Sequence, residues 1–76
     1  MQEMQIKLFT IQEVREFVNL VILVDFEVDL IQGRYLIDAK SIMGIFSLDL
    51  SKPIELSIHS DNVTDILNAL APYIIK

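Results

Sequence analysis

The chain has 76 residues, 53% of them hydrophobic, a formal net charge of −5 and no cysteine. That excludes a disulfide framework, a thiolate zinc site and a thiol nucleophile, and the composition is far too apolar for disorder. The six cations, Lys7, Arg15, Arg34, Lys40, Lys52 and Lys76, are scattered, so no basic stripe points to a nucleic acid.

One domain over residues 1–76 is expected at this length, with a thin core that buries only about 60% of the surface of the unfolded chain. Met4 to Phe9 alternates apolar Met4, Ile6 and Leu8 with polar Gln5 and Lys7, the pattern of a half-buried strand. Thr10 stands three residues before Glu13, the spacing of a capping box. Behind it Ile11, Val14, Phe17, Val18, Val21 and Ile22 recur at helical spacing, which predicts a helix over Ile11 to Leu23.

A second alternation, Phe26, Val28 and Leu30 against Glu27 and Asp29, leads to the turn chemistry of Gln32-Gly33 and a returning strand over Arg34 to Ala39. Ser41 then precedes a short helical stretch with Ile42, Ile45 and Phe46 on one side. Leu48 to Pro53 reads as a loop, and Ile54, Leu56 and Ile58 alternate with Glu55, Ser57 and His59 in a last strand. Ser60, Asp61 and Asn62 are capping candidates for a final helix whose stripe is Val63, Ile66, Leu67, Leu70 and Ile74, with Pro72 kinking or ending the regular part near Ala71. The order β-α-β-β-α-β-α is an α+β pattern: an open, four-stranded antiparallel sheet covered by helices on one face.

The first residues, Met1-Gln2-Glu3-Met4, lack the basic stretch and apolar core of a signal peptide. The longest apolar run, Val18 to Val24, contains Asn19 and falls far short of the roughly 20 residues that cross a bilayer. No membrane partner and a cytoplasmic location are therefore expected.

No constellation for catalysis stands out. The single histidine, His59, falls on the strand face opposite Ile54, Leu56 and Ile58 and has neither a cysteine nor a second histidine to form a metal site with. Glu13 with Glu16, or Asp25 with Glu27 and Asp29, read as solvated acids rather than an acid–base pair or a cation site. Gly33 and Gly44 are isolated, so no phosphate-cradling loop is present. Neither enzymatic activity nor a cofactor is expected.

Ser41 differs in kind, because it occupies the N-cap position of its short helix. Its hydroxyl serves as a cap, and a phosphoryl group there would meet free backbone N–H groups and the positive end of the helix dipole. One helical turn has few places to bury Ile42, Met43, Ile45 and Phe46 together. Two outcomes stand open: all four serve the core, or Ile42, Met43 and Phe46 stay partly exposed as a protein-docking surface.

The stretch DAKSIMGIFSLDL (Asp38 to Leu50), with Gly33-Arg34-Tyr35 upstream, resembles the corresponding junction of HPr, the histidine-containing phosphocarrier family of the bacterial sugar phosphotransferase system. The element order is similar over nearly the whole chain. The resemblance implies a regulatory phosphorylation at Ser41 and a partner-binding surface at Ile42, Met43 and Phe46. It also implies a relay histidine at the start of the first helix, followed by alanine, arginine and proline, where this chain reads Thr10-Ile11-Gln12-Glu13. A threonine phosphate ester is too stable for onward transfer, and Glu13 repels an incoming phosphoryl group.

The expectation is thus an HPr-like regulatory or protein-binding module without relay, its partners phosphotransferase-system components or HPr kinase. The alternatives are an active phosphocarrier using a non-standard residue such as His59, and a structural domain unrelated to sugar transport. Edge strands and exposed apolar groups leave room for a homodimer.

Overall fold

The computed structural model describes residues 2–75, so Met1 and Lys76 of the expected 1–76 domain lie outside the described residues. Its elements follow the chain as β1 Gln2–Ile6, α1 Ile11–Val21, β2 Val28–Gln32, β3 Tyr35–Asp38, α2 Ile42–Ile45, β4 Ile54–Ile58 and α3 Thr64–Leu70, then a 3₁₀ turn at Ala71–Tyr73. The four strands form one antiparallel sheet in the order β1-β4-β2-β3. This is the α+β open-faced sheet that the alternations predicted.

Period-2 patterning decides which face is covered. Ile6 opposes Ile54, Val28 opposes Ile58, and Leu30 opposes both Leu56 and Ile37. These residues meet the buried stripe of α1 (Val14, Phe17, Val18 and Val21), together with Ile45, Ile66 and Leu70, in one core. The other face carries Glu3, Glu55, Asp29, Ile31, Leu36 and Asp38 and, among the described residues, no helix.

Turn chemistry sets the hairpin. Gln32 pairs with Tyr35 across the two-residue turn Gly33-Arg34, and Gly33 has φ +59°, which glycine adopts without steric cost. Pro72 sits in the first turn of the 3₁₀ segment and ends the regular helix at Leu70, as its missing N–H requires. The segment behind it doubles back along β1: Lys7 N–H donates to the Tyr73 carbonyl at 2.8 Å, Ile75 N–H to the Gln5 carbonyl at 2.9 Å, and Ile6 bridges Ile74.

Several boundaries differ from the sequence expectation, each for a tertiary reason. β1 occupies residues 2–6 instead of Met4 to Phe9, because its partner β4 is five residues long and the backbone of Lys7 turns to Tyr73. The alternation still runs on past the strand, since Leu8 is buried and Phe9 is exposed. α1 stops at Val21 with Ile22 as its C-cap. Ile11 and Ile22, the two ends of the expected stripe, lie exposed beyond the core. β2 starts at Val28 and not at Phe26, which leaves Asp25 and Glu27 outside the strand and only Asp29 of the three acids within it. α3 begins behind Val63, which makes no side-chain cap. Ser60 instead exchanges hydrogen bonds with the Asn62 backbone at 3.3 Å. Burying Val63 takes precedence over capping with Ser60, Asp61 or Asn62.

Tyr73 closes the core over α1. Its ring stands edge-on to Phe17, centroids 6.1 Å apart and planes at 85°, and its hydroxyl donates to Glu16 Oε2 at 3.0 Å. Burial first, then the hydrogen bond and the charge of Glu16, push the phenol above its ordinary value of 10.0. A raised acid stabilises the fold in its neutral form. That contribution is complete below the unfolded value and is lost as pH climbs through the folded one. Urea midpoints of the wild type should therefore fall more steeply above pH 10.0 than those of Tyr73→Phe; parallel alkaline limbs would refute this role.

Candidate functional site

Two helix starts, at Thr10 and at Ser41, carry the residues that the sequence singled out, and α1 and α2 pack against each other. At the first, Thr10 has extended backbone (φ −131°, ψ 162°) and caps α1. Its Oγ1 accepts from Glu13 N–H at 3.1 Å. The Glu13 carboxylate returns to accept from Thr10 N–H at 3.2 Å and from Phe9 N–H at 2.9 Å. The capping box read from Thr10 and Glu13 is complete.

This reciprocal cap leaves little for phosphoryl chemistry. The threonine hydroxyl is held as an acceptor, and a carboxylate charge already stands where an incoming anion would arrive. Lys7, a nearby cation, donates to the Leu50 carbonyl at 2.6 Å and lies 4.7 Å from the centroid of the Phe9 ring. Thr10→Ala should cost about 1 kcal/mol of stability, and Thr10→Ser close to nothing, read from urea midpoints. Equal losses for both would mean that the hydroxyl does not cap.

At the second start, Ser41 (φ −100°, ψ 103°) is exposed and caps α2, its Oγ accepting from Gly44 N–H at 3.2 Å. The junction is fastened on both sides. Upstream, Ser41 N–H donates to the Asp38 carbonyl at 2.9 Å, Lys40 N–H to Asp38 Oδ1 at 2.9 Å, and Lys40 Nζ to the Val24 carbonyl at 2.7 Å. Downstream, the Gln32 amide clamps the backbone of Asp49, accepting from its N–H at 2.7 Å and donating to its carbonyl at 2.8 Å. The hydroxyl and then the amide of Ser51 hold the Asp49 carboxyl below its usual value. Gly44 is required by closeness: a Cβ there would lie 2.5 Å from Ile37 Cγ2.

The four apolar side chains of this turn divide. Ile45 is fully buried and Ile42 is half-buried against the core, whereas Met43 is 77% exposed and Phe46 41%. Phe9 and Ile11, on either side of Thr10, are exposed as well. Alternation alone puts Phe9 in a strand, and helical spacing alone puts Ile11 on the buried stripe. The signal available was that both flank a cap, a position where the chain leaves the sheet.

His59 lies apart, on the uncovered face of the sheet, with Nε2 2.8 Å from Asp29 Oδ2. Among the described residues no three His, Cys, Asp or Glu side chains gather in metal-binding geometry, and no helix is long and apolar enough to cross a membrane.

No protein-family model matches the chain, and no curated protein matches it in sequence. Among solved structures it is similar to the crystal structure of HPr-C-His from Thermoanaerobacter tengcongensis, with a TM-score of 0.77 and 26% identity over 95% of this chain and 89% of that one. The strand order, the helices on one face and the resemblance read from Asp38 to Leu50 thus agree: the chain is a distant, HPr-like protein in fold and sequence.

Proposed function

We propose that this HPr-like chain is a regulatory, protein-binding module that carries no phosphoryl relay and is controlled by phosphorylation of Ser41. The observation that carries the reading is the contrast between the two helix starts. At α1 the relay position is a threonine locked into a cap with Glu13. At α2 a solvent-exposed serine stands beside exposed Met43 and Phe46.

Relay needs a nucleophile that gives the phosphoryl group up again and a cation that steadies it in transit. Thr10 and Glu13 offer neither. Phosphorylation of Ser41 needs only an accessible hydroxyl and a surface on which a kinase can sit. The added charge of nearly two units would then decide which protein docks on Met43 and Phe46. The partners implied are proteins of the phosphotransferase system and HPr kinase, and the module itself is not an enzyme.

Mass spectrometry after two separate incubations tests this. With Enzyme I and phosphoenolpyruvate the chain should gain no phosphoryl group. With HPr kinase and ATP it should gain one, lost in Ser41→Ala. An acid-labile adduct on His59 after the first incubation, or a chain unlabelled after both, would overturn the proposal.

A further inference from the structure

The two edges of the sheet are treated differently. The β1 edge is covered by the returning segment at Tyr73, Ile74 and Ile75. The β3 edge, Tyr35–Asp38, has no neighbouring strand on its outer side among the described residues. Ala39 N–H donates to the Val28 carbonyl at 2.9 Å, so in the β2–β3 ladder residues 39, 37 and 35 point their backbone groups inward and Leu36 and Asp38 point theirs outward. This edge is protected only by its shortness and the charge of Asp38. It has no proline, lysine or bulge, and Leu36 is 66% exposed on it with Tyr35 also exposed.

We infer that the β3 edge pairs with the β3 edge of a second copy of this chain, antiparallel about a twofold axis through Leu36. Charge and pairing geometry select that register. Antiparallel partners must both point their backbone groups at the interface, so only Leu36 and Asp38 can form the hydrogen-bonded pairs within the strand. Setting Asp38 against its own copy opposes two carboxylates, and setting Asp38 against Leu36 leaves the charge unanswered. Setting Leu36 against Leu36 sets Tyr35 opposite Ile37 and brings Asp38 of the other copy alongside Arg34 of the hairpin turn, twice by symmetry. Arg34 makes no ion pair or side-chain hydrogen bond among the described residues. Asp38 uses only Oδ1, to accept from Lys40 N–H. The N–H and C=O of Leu36 would be satisfied by those of its counterpart. The axis stands perpendicular to the sheet, so both Ser41 junctions, which follow β3 directly, would emerge on the same side of a continuous eight-stranded sheet. The pairing does not depend on Ser41 being modified.

Sedimentation equilibrium of the full chain over a range of concentrations tests the pairing. The wild-type mass should rise with concentration from 8.7 kDa toward twice that value. Arg34→Glu and Asp38→Lys should each raise the dissociation constant by at least about tenfold, since each sets like charges alongside one another twice. An equimolar mixture of the two variants restores both opposite-charge pairs and should dimerise as the wild type does. Should Asp38→Lys fail to fold, hydrogen exchange of the wild-type Leu36 amide decides, slowing as concentration rises. A monomer at every concentration, an Arg34→Glu chain that dimerises unchanged, a mixture of the two folded variants that stays monomeric, or a Leu36 amide indifferent to concentration would each overturn the inference.

Discussion

Phe17→Ala is expected to remove about 3–5 kcal/mol of stability, the usual cost of truncating a fully buried aromatic residue. Marginal stability scales with size, and at roughly 0.05–0.15 kcal/mol per residue a chain this short has little to spare. Phe17 is the largest side chain with no exposure at all, and its ring is also the face on which Tyr73 closes. Its loss therefore opens a cavity between α1 and the C-terminal segment that lines β1. Ile22→Ala, by contrast, should change stability by less than about 0.5 kcal/mol, because Ile22 is an exposed C-cap residue. Urea titration followed by circular dichroism separates the two. A Phe17→Ala chain with a midpoint near the wild type would mean that the core does not rest on this residue.

That pair of substitutions also marks how far the sequence was legible. Phe17 and Ile22 belong to the same 3.6-residue stripe, and periodicity alone ranks them equally. What separates them is where the sheet ends, which depends on the lengths of β1 and β4 and not on anything local to the helix. The same cause starts β1 two residues earlier and ends it three residues earlier than its alternation suggests, while leaving that alternation intact. Features set by chemistry within a few residues were read correctly: the Thr10–Glu13 cap, glycine at the hairpin turn, and Pro72 ending α3. Features set by competition between distant segments were not. Ser60, Asp61 and Asn62 are good caps, yet the helix waits for Val63 because the core claims it. At the second helix start the sequence left two outcomes open for Ile42, Met43 and Phe46, since one turn of helix gives no periodicity to choose between them. Ile42 leans into the core while Met43 and Phe46 face solvent.

The division among those three side chains yields the prediction with the largest functional effect. On the proposed reading, HPr kinase must dock on Met43 and Phe46 to reach the Ser41 hydroxyl. Interface anchors of this type cost 2 kcal/mol or more when lost, which corresponds to roughly thirtyfold in a specificity constant. Met43→Glu should thus lower kcat/KM for Ser41 phosphorylation by about thirtyfold or more, because it adds the desolvation of a carboxylate to the loss of contact. Phe46→Glu should act likewise, and the double variant should fall short of the product of the two, as neighbouring anchors share one partner surface. Neither change touches a buried side chain, so urea midpoints should stay close to the wild type. Ile42 is unsuitable for this test, because its half-burial would mix docking with folding. The decisive comparison is Ile75→Glu. Ile75 is exposed and apolar, but it lies along β1, the edge of the sheet opposite β3 and the Ser41 turn. If Ser41 phosphorylation slows as much there as with Met43→Glu, the partner responds to the general acidity of an already negative chain and not to a surface centred on Ser41. If only Met43→Glu and Phe46→Glu slow it, a single exposed turn both presents the hydroxyl and holds the protein that modifies it.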